Sequence, residues 1–283
     1  NERRPTGMME SDVSERELRN VRLLVAYDGT DFRGFAQSNG VRTIMGVLAE
    51  AVARITRMSA ESLELVGSGR TDAGVHGWGQ VVSGLIPADT DLYRLTASVN
   101  ALLRPEVSVR EAEWVDPDFS ARFSATSRTY RYDIWNDRSP NPLLSRHTWH
   151  LGPPLDVDAM NEAALDLLGD HDFSSFCRKP KPGPGYDEPS MKRTLQVAQW
   201  TREPWADLNP SPLLRFEVTA TSFCHQMVRS IVGTLVDVGF GRIAAGSLPA
   251  VLAERHRNAA GQVAPPHGLT FHAVSFLGAR WDA

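Results

Sequence analysis

Ten residues constrain this chain more than any others: Gly67-Ser68-Gly69-Arg70-Thr71-Asp72-Ala73-Gly74-Val75-His76. Three glycines within eight residues permit positive φ and close approach of a ligand to backbone, and they argue against a helix here. The apolar-alternating run Leu63-Glu64-Leu65-Val66 before the segment predicts a strand, and Trp78 to Leu85 after it predicts another. The segment is therefore a loop between strands, where binding and catalytic groups concentrate on a rigid scaffold. An Asp among glycines also suits a plain turn. The Arg, Thr and Asp between the glycines, with a His just after them, also suit a site, and the residues alone leave both readings open. The spacing is neither a Walker A loop, since no Lys-Ser/Thr follows, nor a dinucleotide fingerprint, since the third glycine is misplaced.

The flanking chain reads as mixed α and β. Val21 to Tyr27 has the β-branched and aromatic character of a strand. Ile44, Val47, Leu48, Ala51, Val52 and Ile55 recur at helical spacing behind Thr43, a plausible N-cap, and this helix ends near Arg57. A second helix carries Leu92, Leu95, Ser98, Val99 and Leu102 and stops at Pro105. Val107 to Arg110 and Ala112 to Val115 look like strands. The order strand, helix, strand, strand, helix, strand suits a split βαβ, ferredoxin-like unit.

Beyond it, Asp116 to Thr126 reads as a surface linker, Arg128 to Trp135 as a strand and Asp158 to Leu168 as a short helix. Lys179 to Pro189 is too rich in Pro and Gly for regular structure. Thr194 to Trp200 and Leu213 to Thr219 are strands. His225 to Val238 is a helix with Met227, Ile231, Leu235 and Val238 on one face, and Val274 to Phe276 closes the chain as strand. The expected organisation is a flexible extension over 1–20, an α+β half over 21–115 carrying the loop, and an α+β half with insertions over 116–283.

Composition limits the function classes. No window is long and apolar enough to span a membrane. The first twenty residues lack the apolar stretch of a signal peptide. The two cysteines, Cys177 and Cys224, have no metal-ligand spacing and fit a reducing, cytoplasmic location. His76, His225 and His267 show no zinc-ligand spacing either, so no metal or other cofactor is expected and no histidine is assigned to catalysis. The formal net charge of −4 lends no support to nucleic-acid binding, although a local basic face would suffice. Only Lys179, Lys181 and Lys192 are lysines; the other cations are arginines, which suit bidentate phosphate contact and base stacking.

The loop together with Gly79-Gln80-Val81 resembles the signature of TruA-type tRNA pseudouridine synthases. The resemblance recurs, in the family's order, at Phe119-Ser120-Ala121-Arg122-Phe123-Ser124-Ala125-Thr126 leading into Arg128-Thr129-Tyr130-Arg131-Tyr132. It recurs again at His171-Asp172-Phe173-Ser174-Ser175-Phe176 and at His225-Gln226-Met227-Val228-Arg229-Ser230-Ile231-Val232-Gly233. These blocks cover nearly the whole chain from Val21 to Phe276. The resemblance implies an α+β protein of two ferredoxin-like halves, sheets side by side, helices behind and the active-site cleft between. It implies isomerisation of uridine in the tRNA anticodon stem-loop by a cytoplasmic homodimer. Two departures bear on substrate choice: Gly34-Phe35-Ala36 stands where the family usually has Gly-Trp-Gln, and Ile44-Met45 where it usually has Val-Gln.

Residue by residue, the resemblance gives Asp72 the role of catalytic carboxylate, as nucleophile or base. A carboxylate withdrawn from water stays ionised only beside a compensating cation, and the matching residue is Arg229. Arg70 resembles the Arg that helps extrude the target base, and Tyr130 the Tyr that stacks on it, with Tyr132 a rival on the same face. Leu269 matches an apolar position lining the pocket. Arg122, Arg128, Arg131, Arg178, Lys179, Lys181, Lys192 and Arg193 are the expected phosphate contacts. Two other readings stand beside this one: a catalytically silent RNA-binding module on the same scaffold, and a metal-dependent hydrolase using Asp72.

Overall fold

The computed structural model describes residues 16–178, 189–277 and 279–282. The first half runs β1 (Leu18–Tyr27), α1 (Ile44–Thr56), β2 (Val66–Gly67), β3 (His76–Pro87), α2 (Leu92–Leu103) and β4 (Val107–Trp114). The second runs β5 (Ala125–Trp135), β6 (Trp149–His150), α3 (Val157–Leu165), β7 (Gly169–Asp172), β8 (Lys192–Arg202) and β9 (Leu213–Ala220). It continues through α4 (Met227–Gly239), α5 (Leu248–Glu254), β10 (Leu269–Phe276) and β11 (Ala279–Asp282).

All the strands join one mixed sheet, ordered β4-β1-β3-β10-β5-β9-β8-β7, with β2 on β3, β6 on β5 and β11 on β10. The same local order occurs twice. In β4-β1-β3-β2 and in β10-β5-β9-β8, the last strand of a β-α-β-β-α-β run lies beside its first strand. The two runs meet where β3 and β10 pair in parallel, His76 opposite Thr270 and Gly77 opposite Phe271. That seam begins where the glycine-rich loop ends, so the fold puts the loop between the halves.

Local rules account for the first two helices. Thr43 accepts from the Gly46 N–H and Asp91 from the Arg94 N–H, each capping a helix start. Leu48 and Val52 of α1 and Leu95 and Val99 of α2 share one core with Val21, Leu23 and Val25, the alternate residues of β1. Leu102, placed on the same stripe by periodicity, is 45% exposed at the end of α2. The second core gathers α3, α4 and α5 with Tyr130, Tyr132 and Ile134 of β5.

Several expectations from sequence change. The predicted strand before the loop is a single turn of helix over Glu61–Leu63, followed by the two residues of β2. The two predicted strands from Val107 are one strand, with a shift of register opposite Leu24 and Val25. β1 starts at Leu18, inside the stretch read as an extension. The linker after Asp116 gives way to β5 at Ala125, and α3 ends at Leu165. Strands β6, β7 and β11 and helix α5 were not foreseen; most are too short to show a period. Helix α4 is buried nearly all round, not along one stripe, because it lies inside the second core. The Lys179–Pro189 reading falls almost wholly outside the described residues. No described helix is long and apolar enough to cross a membrane.

Candidate active site

The glycine-rich loop is held from four sides. Tyr27 Oη and Thr71 Oγ1 lie 2.9 Å apart, and the Phe35 N–H donates to the Thr71 carbonyl at 3.0 Å. Gln80 holds the start of the loop: it accepts from Ser68 Oγ at 2.7 Å and donates Nε2 to the Gly69 carbonyl at 2.9 Å. Arg128 reaches across from β5 and donates Nε and Nη2 to the Ser68 carbonyl at 3.1 and 3.0 Å. Its remaining donors meet the carbonyls of Thr221, Ala125 and Arg122. Two glycines are required by this packing. A Cβ at Gly69 would lie 2.7 Å from the Phe271 ring, and Gly74 has φ 79°, a conformation that favours glycine.

So braced, the loop presents Asp72 to a cleft of about 1160 Å³ lined by Arg70, Tyr130, Leu269 and the start of α4. The Asp72 side chain is 28% exposed; it accepts one hydrogen bond and has one histidine ring beside it. Arg229 Nη1 lies 3.2 Å from Oδ2, and His225 Nε2 lies 3.2 Å from Oδ1. Arg229 itself is fixed, since Nε donates to the Ala264 carbonyl at 2.7 Å. The fixed guanidinium holds Oδ2 by a hydrogen bond, and the His225 ring stands against Oδ1 without one.

Tyr130 forms the cleft's aromatic wall. Its ring meets Phe223 and Phe271 edge-on, with centroids 5.0 and 4.9 Å away. Burial, chiefly, pushes its phenol well above the usual tyrosine range. The group is therefore a proton donor or a neutral surface, not a phenolate base. Among the described residues its hydroxyl has no hydrogen-bonding partner, which leaves it open to a ligand. Tyr132, the rival, donates to the Pro265 carbonyl at 2.9 Å and is fully buried, so it is a packing residue.

Five arginines (Arg33, Arg70, Arg122, Arg128 and Arg229) and one carboxylate, Asp72, line the cleft. Its lining is strongly basic although the chain as a whole carries −4. A polyanion is the ligand this field favours.

A family model described as tRNA pseudouridine synthase matches residues 23–124 and 163–276. The chain belongs to the tRNA pseudouridine synthase family. Asp72 and Arg229 both fall within the matched segments, whereas Tyr130 falls between them. Among relatives named tRNA pseudouridine synthase A, that of Acetivibrio thermocellus is 34% identical over 252 residues, covering 89% of this chain and 97% of the relative. That of Moorella thermoacetica is 38% identical over 259 residues, covering 90% and 99%. That of Bacillus subtilis is 35% identical over 249 residues, covering 88% and 96%.

Within this family framework, the residues singled out from sequence divide into two groups. Asp72, Arg229, Arg70, Tyr130 and Leu269 come together in the cleft, with Arg122 also on its lining. Arg128 is also on the lining but spends its guanidinium on carbonyls. Among the described residues the others do not line the cleft: Arg131 pairs with Glu217 at 2.8 Å, and Arg193 donates to the carbonyls of Ser190 and Lys192. Arg178 is exposed and gives its backbone N–H to the His225 carbonyl. Lys179 and Lys181 lie outside the described residues. Of the departures, Phe35 packs beside Tyr27 and Ile44 is in the core, while Ala36 and Met45 line the cleft. Sequence reasoning passed over His225, although it stands four residues before Arg229 and so near the same turn of chain.

Proposed function

We propose that this protein isomerises uridine to pseudouridine in the anticodon stem-loop of tRNA. The observation that carries the proposal is the Asp72 carboxylate, held by Arg229 and faced by His225 in an arginine-lined cleft. The reaction breaks the bond from ribose C1′ to uracil N1 and makes one from C1′ to C5; a proton leaves C5 and N1 ends protonated. No electrons or water are consumed. The chemistry calls for one ionised carboxylate acting as nucleophile or base, and for a base removed from its stack. Asp72 supplies the first. For the second, Arg70 extends from the same loop with no ion pair among the described residues, and Tyr130 and Leu269 offer a flat and apolar wall. Arg33 and Arg122, on the cleft lining, and the exposed Arg178 are the candidates for phosphate contact in this reading.

Two further parts of the reading are a cytoplasmic location and a homodimer whose two copies share one tRNA. Light scattering of the purified protein, alone and with tRNA, checks the second. The activity itself is tested by mapping pseudouridine in an anticodon stem-loop transcript after incubation, beside an Asp72→Asn variant. Pseudouridine formed by the wild type and not by the variant is expected, in the presence of EDTA, with RNA affinity within a few-fold. RNA binding without turnover by the wild type would favour the silent module. Turnover only with added metal would favour the hydrolase-like alternative.

A further inference from the structure

Arg229 and His225 face different oxygens of one carboxylate, and they meet them differently. Arg229 is 14% exposed and anchored a second time at the Ala264 carbonyl. Letting go of Oδ2 would leave a partly buried charge without its counter-charge, which is costly. The His225 ring is 48% exposed, and its one side-chain polar contact among the described residues is Nε2 at 3.2 Å from Asp72 Oδ1, outside hydrogen-bond geometry. Its backbone, by contrast, is fixed: the carbonyl accepts from the Arg178 N–H at 3.0 Å, and Gln226, with φ 63°, turns the chain into α4. The ring can therefore swing about a fixed point, and the guanidinium cannot.

A carboxylate oxygen that attacks carbon or takes a proton must present a lone pair to its target. Of the two, Oδ2 already accepts a hydrogen bond from an anchored guanidinium, whereas Oδ1 accepts none among the described residues and faces only the exposed ring. We infer that Oδ1 is the reacting oxygen of Asp72, and that His225 is its positioning residue. The ring stands against Oδ1 while the site is empty and gives way when uridine enters. Oδ2 stays on Arg229 throughout, so the carboxylate keeps its plane as one oxygen reacts. This inference deepens the isomerase reading and rests on it.

The test compares His225→Phe, which keeps a ring and removes the N–H, with His225→Gln, which returns an N–H near the position of Nε2. Single-turnover isomerisation is measured at saturating stem-loop RNA. The Phe variant is expected to lose about 10-fold in rate, the loss of one polar contact to a charged group, with KM nearly unchanged. The Gln variant is expected to recover most of that rate. A Phe variant as fast as wild type overturns the inference, as does a Gln variant as slow as Phe. A raised KM at unchanged kcat would make His225 an RNA contact and overturn it too. A second measurement needs no turnover. In RNA-free protein labelled with 15N-histidine, the His225 Nε2 resonance is expected to shift on Asp72→Asn. No shift overturns the pairing even if neither His225 variant folds. A wild type that makes no pseudouridine defeats the isomerase reading, while the resonance still reports on the pair.

Discussion

Asp72 and Arg229 stand 157 residues apart in sequence and 3.2 Å apart in space. One comes from a loop of the first half, the other from the first turn of a helix in the second. Neither segment holds both groups, so the seam between β3 and β10 sets the distance between them. Arg229 binds the seam a second time through the Ala264 carbonyl, which leads into the segment just before β10.

Arg229→Met is expected to reduce isomerisation by roughly 100-fold or more and to lower stability by about 1–3 kcal/mol, because a partly buried carboxylate and a carbonyl lose a donor together. Arg229→Lys is expected to recover only part of the activity, since an ammonium cannot serve Asp72 and Ala264 in the same fork. Single-turnover rates and urea denaturation check both. A Met variant with wild-type rates would place Arg229 among purely structural groups.

Tyr130→Phe preserves both edge-on contacts, with Phe223 and Phe271, and removes only the hydroxyl. RNA affinity is expected to stay near wild type while the isomerisation rate falls. Tyr130→Leu also removes the stacking surface, which is worth roughly 1–3 kcal/mol per base, so its affinity for the stem-loop is expected to fall as well. Equal behaviour of the two variants, both like wild type, would make Tyr130 a packing residue only.

The arginines separate by their partners. Replacing Arg33, Arg70 or Arg122 by Ala is expected to reduce the slope of log K against log salt by about 0.7 for each single-strand phosphate that is no longer neutralised, with little change in stability. Arg128→Ala is expected to do the reverse. It frees the Ser68, Thr221 and Arg122 carbonyls, so the loop loosens and the unfolding midpoint falls, with a smaller effect on the salt slope. Salt titrations of stem-loop binding, paired with thermal melts, distinguish the two groups. A flat salt response in the wild type would refute phosphate binding in the cleft.

Stability is expected to fall on both sides of neutrality. Gly29 donates its N–H to His76 Nδ1 at 3.1 Å, so Nε2 carries the proton and donates to the Arg146 and His267 carbonyls. Burial first, then His147, holds His76 below the ordinary histidine range; burial does the same to His267. An unfolded histidine protonates near about pH 6.5, so below that the unfolded chain binds more protons and stability declines. On the alkaline side, burial pushes Tyr27 up to about 12, and Tyr130 and Tyr132 also upward. Unfolded phenols ionise near about 10, so this stability is complete below that pH and is lost as pH rises toward 12. Urea unfolding at about pH 5, 8 and 11 is expected to show a maximum at the middle value. His76→Gln is expected to flatten the acid side. An unchanged acid slope would remove His76 from that account.

What the sequence determined by itself is local. Thr43 and Asp91 cap the helices they precede, and the apolar spacing of α1 and α2 meets the core, because caps and periodicity act within a turn or two of backbone. The loop was also legible as a loop, since three glycines in one short string restrict its conformation, and the longer string carried the resemblance to the family. The tertiary structure decided which groups those residues meet. It turned Arg128 from an expected phosphate contact into a clamp on Ser68, and Tyr132 into a donor for Pro265. It buried α4 on nearly every side and set His225 against Asp72. Each of these outcomes depends on which distant carbonyl, carboxylate or side chain is brought within hydrogen-bonding distance and on how far water is excluded. Both are properties of strand pairing across the whole sheet, and no short window of sequence contains them.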